Sequence, residues 1–173
     1  MVRTGGGRGG GVGLARRTYG AGEVPCMRVQ MSCILRAFGK DFDVDAFIAT
    51  STLLVDTLWR KGERRFPMSL TNVALNETSG LRLLASNAEF SELSKQIDES
   101  IVYLRTNHDA LKSLGFAAGV DGAVLDFGAE IYPPGWSSFI FPPALLSLAG
   151  SANVSLGLSV YPTDDEEDTD EDG

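Results

Sequence analysis

Residues 123–132, Ala-Val-Leu-Asp-Phe-Gly-Ala-Glu-Ile-Tyr, decide the fold. In an extended chain Leu125, Phe127, Ala129 and Ile131 face one way, and Asp126, Gly128, Glu130 and Tyr132 the other. Residues 154–161 repeat the pattern, with Val154, Leu156, Leu158 and Val160 alternating with Ser155, Gly157, Ser159 and Tyr161. Period-two alternation marks a strand with one apolar and one polar face. It argues against a doubly wound parallel sheet, whose strands are buried on both faces and read as near-continuous apolar runs.

An apolar sheet face needs a cover. The spacing predicts one in a long amphipathic helix over 86–114. Ser86 followed by Glu89 fits a capping box. Phe90, Leu93, Ile97, Ile101, Leu104, His108, Leu111 and Leu114 then recur every three or four residues. Gly115 is placed to end the helix, and Thr106-Asn107 to kink or break it. Upstream, residues 32–38 read as a strand and Asp43 as the N-cap of a helix over 44–51, with Phe47 and Ile48 inward. Residues 53–60 read as a second strand, Lys61–Pro67 as a charged loop, 68–76 as a weak strand and 81–85 as another. Pro142-Pro143 and Gly150 frame a short helix. This order gives an α+β fold, a two-layer sandwich with a largely antiparallel sheet, the long helix on one face and a ferredoxin-like tendency.

The net charge of −8 is unevenly placed. Residues 1–30 hold five arginines against Glu23, together with nine of the 20 glycines. Such a stretch has little apolar surface to offset the cost of ordering, so a disordered arm is expected. Strand-like sequence begins abruptly at Met31, so the arm reads as an upstream extension or a natural tail outside the fold. Residues 164–172 hold eight carboxylates in nine positions, which reads as a disordered, solvated tail over 163–173. Between them, residues 31–162 form the single expected domain, with 10 basic and 14 acidic residues. No 7–15-residue apolar core suggests a signal peptide and no run of 18 apolar residues a membrane span. The expected location is cytoplasmic.

Motifs for chemistry are poor. The sole histidine, His108, lies on the apolar side of the predicted helix and reads as structural. Cys33 sits in an apolar strand and reads as a small buried hydrophobe. Gly135-Trp136-Ser137-Ser138-Phe139 fails as a nucleophile elbow at Phe139. Asp41-Phe42-Asp43-Val44-Asp45 fails as a calcium loop because Ala46 and Thr52 stand where glycine and glutamate are needed. No catalytic residue, metal ligand or cofactor is implied, and the expected protein is not an enzyme.

Three features remain as candidate interaction surfaces. Trp59-Arg60-Lys61-Gly62-Glu63-Arg64-Arg65-Phe66 sets four cations between aromatics. It suits a phosphate-binding loop, or a strand end whose cations reach into solvent along apolar stems. Trp136 lies in a Pro- and aromatic-rich loop that suits a contact hot spot. Gly128, Ser155, Gly157 and Ser159 would leave the polar face of the last two strands flat, flanked by Asp126 and Glu130. Net acidity of the middle region disfavours nucleic acid, whose nonspecific affinity comes from summed positive charge.

Ser32–Asp45, Trp59–Glu63, Asp109–Leu114, Val124–Phe127, Phe141–Leu146 and Leu158–Pro162 together resemble a small bacterial family of domains of unknown function, the DUF4279 type. The resemblance spans roughly 32–162 and rests on structural motifs. It implies a domain of this size; some family members look like immunity proteins that neutralise toxins. The expected function is that of a non-enzymatic interaction protein, immunity-like, binding another protein. A second reading makes the Arg60–Arg65 loop a site for a small anionic or phosphate-bearing ligand.

Overall fold

The computed structural model describes residues 32–68, 71, 73–131 and 138–162. The expected arm over 1–30 and tail over 163–173 lie outside these residues, as does Trp136. The elements in chain order are β1 (Cys33–Gly39), α1 (Val44–Thr50), β2 (Thr57–Trp59), β3 (Ser79–Ser86), α2 (Leu93–Thr106), α3 (His108–Gly115), β4 (Gly122–Ile131), α4 (Pro143–Ser151) and β5 (Ser155–Pro162). They form an α+β fold around a five-stranded sheet in the order β2-β3-β1-β4-β5. Every pairing is antiparallel except β4 with β5. That parallel pair requires a crossover, and α4 lies in it.

Alternation in β4 reads out as expected. Ala123, Leu125, Phe127 and Ala129 are buried, and Leu35 of β1 stands opposite both Leu125 and Leu83. Ile97, Leu104, Leu111, Leu114 and Leu145 from the helices join these strands in one core. The Phe127 and Phe141 rings sit 5.4 Å apart, so Phe141 closes the core beside α4.

Asp43 caps α1 as expected, its carboxylate accepting from the Ala46 amide at 2.9 Å. The helix expected over 86–114 is shorter and broken. Ser86 ends β3 instead of capping: its hydroxyl donates to Glu99 at 2.6 Å and accepts from the Ala88 amide at 3.1 Å. A single turn over 89–92 intervenes, with Glu92 reaching back to the Glu89 amide, before α2 begins. The break falls at Asn107, whose side-chain amide donates to the Tyr103 carbonyl at 3.0 Å. An asparagine that hydrogen-bonds its own backbone competes with helix continuation.

Two further expectations shift. Gly150 lies inside α4; the residue in left-handed backbone is Asn153, with φ of 55°. Asn153 also donates to the Gly115 carbonyl at 2.7 Å, tying the end of α4 to the end of α3. Residues 53–56 are not strand, and the described residues of 68–76 contribute only a bridge between Leu75 and Arg64. Gly62 donates to the Asn76 carbonyl, Asn76 to Glu63 and Arg65 to Ala74, so 62–65 and 74–76 pair as a short two-stranded arm. Residues 61–68 are all exposed, so no buried face extends that pairing into a full strand.

Candidate functional site

The second face of the sheet follows from the register. Thr57 and Trp59 of β2, Gly80 and Arg82 of β3, Ile34, Arg36 and Phe38 of β1, and Val124 and Asp126 of β4 share it. Two glycines shape one end. The Trp59 indole lies across Gly80, where a Cβ would collide with it, and the Phe38 ring comes within 3.2 Å of the Cβ position of Gly122. The 62–76 arm rises beside these aromatics. Between arm and sheet lies a groove of about 1060 Å³.

Arg36 and Arg82 line its floor, and Arg64 and Arg65 line the arm side. Four of the chain's 15 lysines and arginines therefore face one groove, against Glu63 and Glu77 among its acids. The floor arginines are held in place. Arg36 donates to Asp126 at 2.9 Å. Arg82 donates to Asp56 at 2.8 Å and to the Thr57 hydroxyl at 2.8 Å. The Thr57 hydroxyl and then the Arg82 guanidinium hold the Asp56 carboxyl below the usual carboxylate range. Arg64 and Arg65 carry no ion pair among the described residues; the Arg65 guanidinium lies 5.6 Å from the Phe66 ring centre.

The candidates from the sequence divide here. Trp59, Arg64 and Arg65 come together in the groove, and Asp126 anchors its floor. Arg60 does not line it. Its guanidinium is gripped by Asp45 of α1 through two bonds of 2.7 Å, with Glu63 at 3.4 Å. Those hydrogen bonds lower the Asp45 carboxyl and raise the Arg60 guanidinium, making Arg60 a strut between α1 and the arm. Lys61 donates to the Lys40 carbonyl at 3.2 Å and also stays out. Glu130 lies on β4 beyond the groove, its amide donating to the Phe90 carbonyl at 3.3 Å. The flat surface expected around Gly128 is filled there. Phe90 lies against Gly128 and stacks on Tyr161 with ring centres 5.0 Å apart.

Sequence reasoning missed Arg36, Arg82 and Phe38. Arg36 was the visible signal, a charged residue interrupting the apolar run 33–38 at an outward position. Its partnership with Arg82 needed the β1–β3 register.

Other groups offer less. Cys33 is fully buried 3.2 Å from the Ser100 hydroxyl, and burial pushes its thiol up to about 12. His108 opens α3 with Nε2 3.0 Å from the Ser151 hydroxyl. Among the described residues no group of three histidines, cysteines or acids is arranged to hold a metal ion, and no helix is long and apolar enough to cross a membrane. A cavity of about 470 Å³ lies along α2 between Asp98, Val102 and Asn107, with little polar lining to orient a ligand. The resemblance drawn from the sequence rests on its quoted segments alone. No family model matches the chain, and neither does any curated protein or solved structure.

Proposed function

We propose that this chain is a non-enzymatic binding protein that receives an acidic segment of a partner protein in the groove between the sheet and the 62–76 arm. The observation that carries this reading is the convergence of Arg36, Arg64, Arg65 and Arg82 around Trp59 and Phe38. The order β2-β3-β1-β4 with antiparallel pairings supports reading the fold as a ferredoxin-like two-layer sandwich. In that reading the helices cover one sheet face and a partner takes the other.

Size favours a polypeptide. The groove is at or above the roughly 300–1,000 Å³ typical of small-molecule pockets. Arginines and aromatics are the residues enriched where protein partners bind. Leu58, Phe66 and Leu75 are also exposed around it. The second reading, a small phosphate- or carboxylate-bearing ligand, is favoured by Arg64 and Arg65, which have no acidic partner among the described residues.

A fluorescein-labelled decaglutamate, titrated into the full chain and followed by anisotropy, tests the first reading. Binding at low salt is expected, and Arg64→Gln/Arg65→Gln together should weaken it about 3- to 10-fold, as two exposed pairs of up to ~1 kcal/mol each allow. Affinity unchanged in that variant and in Arg36→Gln/Arg82→Gln would overturn the reading. Saturable, arginine-dependent stabilisation by inorganic phosphate, without decaglutamate binding, would transfer the site to the second.

A further inference from the structure

From Ile131 through Thr163 the chain carries no charged residue and no histidine, over 33 positions where its 22% of charged residues would place about seven. The described part of that run builds one border of the sheet. β5 is last in the order β2-β3-β1-β4-β5, and among the described residues no strand pairs with its outer side. An outer strand presents a row of unpaired N–H and C=O groups, a template for another strand. Folded chains blunt such an edge with a very short strand, charged side chains, a bulge or a proline. The opposite edge follows that rule: β2 is three residues long and runs into Arg60 and Lys61. β5 does not. It spans eight residues, pairs with β4 without a register shift, and has its one proline at its end, Pro162.

The apolar side of this border is also unfinished. Leu156, Leu158 and Val160 stand level with the buried Leu125, Phe127 and Ala129 of β4. Leu156 and Leu158 are only partly covered, and Val160 is 38% exposed. α4, which packs against α2 and β5, carries Leu146 at 51% exposed, with Ile140 just before the helix at 79%.

We propose that β5 pairs antiparallel with β5 of a second copy, joining two five-stranded sheets into one of ten strands across a two-fold axis. Charge names the occupant. The chain carries −8 overall, so two copies repel except where neither is charged. This border meets that condition, and depletion of charge is what marks the centre of a protein interface. Charge also sets the direction. Eight acids at 164–172 follow β5 directly. Centred on Leu158, an antiparallel pair holds the two Pro162 ends about 26 Å apart at roughly 3.3 Å per residue, well past the ~8 Å Debye length. A parallel pair would set them side by side.

A two-fold normal to the sheet keeps both helix layers on one side. It sets Leu156 of one copy opposite Val160 of the other, carries the Leu125–Phe127 core across the junction and brings the two α4 helices to it. Twenty-one of the 25 residues 138–162 are at least partly exposed. A standard interface takes about 20–30 residues a side, so β5 and α4 together supply a dimer at the small end of that range. The groove lies toward the other end of the sheet, so this inference stands independently of the proposed function.

Sedimentation of the full chain in the micromolar range should give a dimer of two 18.5 kDa chains. It should persist in 1 M salt, where the Debye length falls to about 3 Å and repulsion between the acidic chains is screened. Leu146→Lys/Val160→Lys should weaken dimerisation about 10- to 100-fold, because it sets uncompensated charge into the junction. Both side chains are exposed, so the variant monomer should melt close to the parent. Arg64→Gln/Arg65→Gln should leave the dimer unchanged. Should the lysine variant fail to fold, hydrogen exchange of the parent decides: amides of 155–161 should slow as protein concentration rises, and those of β2 should not. A monomer throughout the micromolar range overturns the inference. So does a dimer that dissociates in 1 M salt, which would tie the arginines of 1–30 to the acids of a second copy. A dimer indifferent to the two lysines, or one that leaves exchange in β5 unaltered, places the contact elsewhere and overturns it too.

Discussion

Arg36 on β1 and Arg82 on β3 are direct cross-strand partners, two like charges face to face on the second face of the sheet. Like charges so placed are destabilising unless something offsets them. Here each guanidinium turns away from the other, Arg36 to Asp126 and Arg82 to Asp56. The result is a row of charges, acid, base, base, acid, running from just before β2 to β4. It also keeps two cations fixed in a groove that would otherwise favour their separation.

This row makes a testable prediction. Asp126→Asn and Asp56→Asn should each destabilise by about 1 kcal/mol, at the upper end for exposed pairs, because each also exposes the repulsion between the arginines. In the Asp126→Asn background, Arg36→Gln should be nearly neutral or stabilising. Urea titrations of the single and double variants measure the coupling. Additive losses would mean the row is not coupled. Acid adds a check of sign. Asp56 has a lowered folded pKa, so its contribution is present above the unfolded value and lost as pH falls through the folded one. Asp56→Asn should therefore lose stability less steeply than the parent below about pH 4.

Glycine substitutions should act in opposite directions at two positions. At Gly80 a Cβ would meet both the Trp59 ring and the Ala37 carbonyl oxygen. Gly80→Ala should cost about 1–3 kcal/mol, the range for overpacking, and displace the indole. In a Trp136→Phe background the remaining tryptophan emission should shift. At Gly150, inside α4, nothing lies within 4 Å of a Cβ. Gly150→Ala should stabilise by up to about 1 kcal/mol. Thermal melts of the two variants moving the same way would contradict the packing described.

The facing of β4 was legible because alternation is a local property that could be read from 123–132 without knowing its neighbours; β5 was legible as a strand, but not its burial, since at the sheet edge Leu156 and Leu158 are only half-buried and Val160 is exposed. Asp43 was legible for the same reason, since a cap acts within three residues. The start of α2 was not. Ser86 has the right residue type at the right spacing, but its hydroxyl is taken by Glu99, a contact made only once α2 packs beside β3. The groove was half legible. Arg64 and Arg65 stand out in a charge-rich run, and Arg60 stood out equally until Asp45 claimed it. Arg36 and Arg82 are 46 positions apart in the chain and become one feature only through register.

Phe127 tests the core. It is fully buried, level with Cys33 and Leu158, and its ring meets Phe141. Phe127→Ala should cost about 3–5 kcal/mol. Val160→Ala, at the exposed end of β5, should cost under about 1 kcal/mol. Comparable losses by chemical denaturation would show that β4 and β5 do not share the core as described.

Cys33 provides an alkaline counterpart to the acid behaviour of Asp56. Its thiol is raised from 9.0 to about 12, first by burial and also by the Asp126 charge, against a lowering from the Ser100 hydrogen bond. A group raised in the folded state contributes stability that is complete below its unfolded pKa and is lost as pH rises through the folded one. The native chain keeps the thiol protonated between pH 9 and 12, whereas the unfolded chain ionises it, so stability should fall across that window. Tyr103, raised to about 12 by burial, should add to the fall above its ordinary value of 10.0. In a Cys26→Ser background, Cys33→Ala should remove the thiol component. Its stability should then decline less between pH 9 and 10, where tyrosine is still largely protonated in both states. In that background at pH 8, Cys33 should react with a thiol reagent only at the rate of unfolding, because the thiolate is the nucleophile and burial suppresses it. Urea-unfolding midpoints from pH 7 to 11 with and without Cys33 decide the first point. A parallel fall in both proteins, or a thiol that reacts faster than the chain unfolds, would show that the β1 cysteine is not sealed beneath α2.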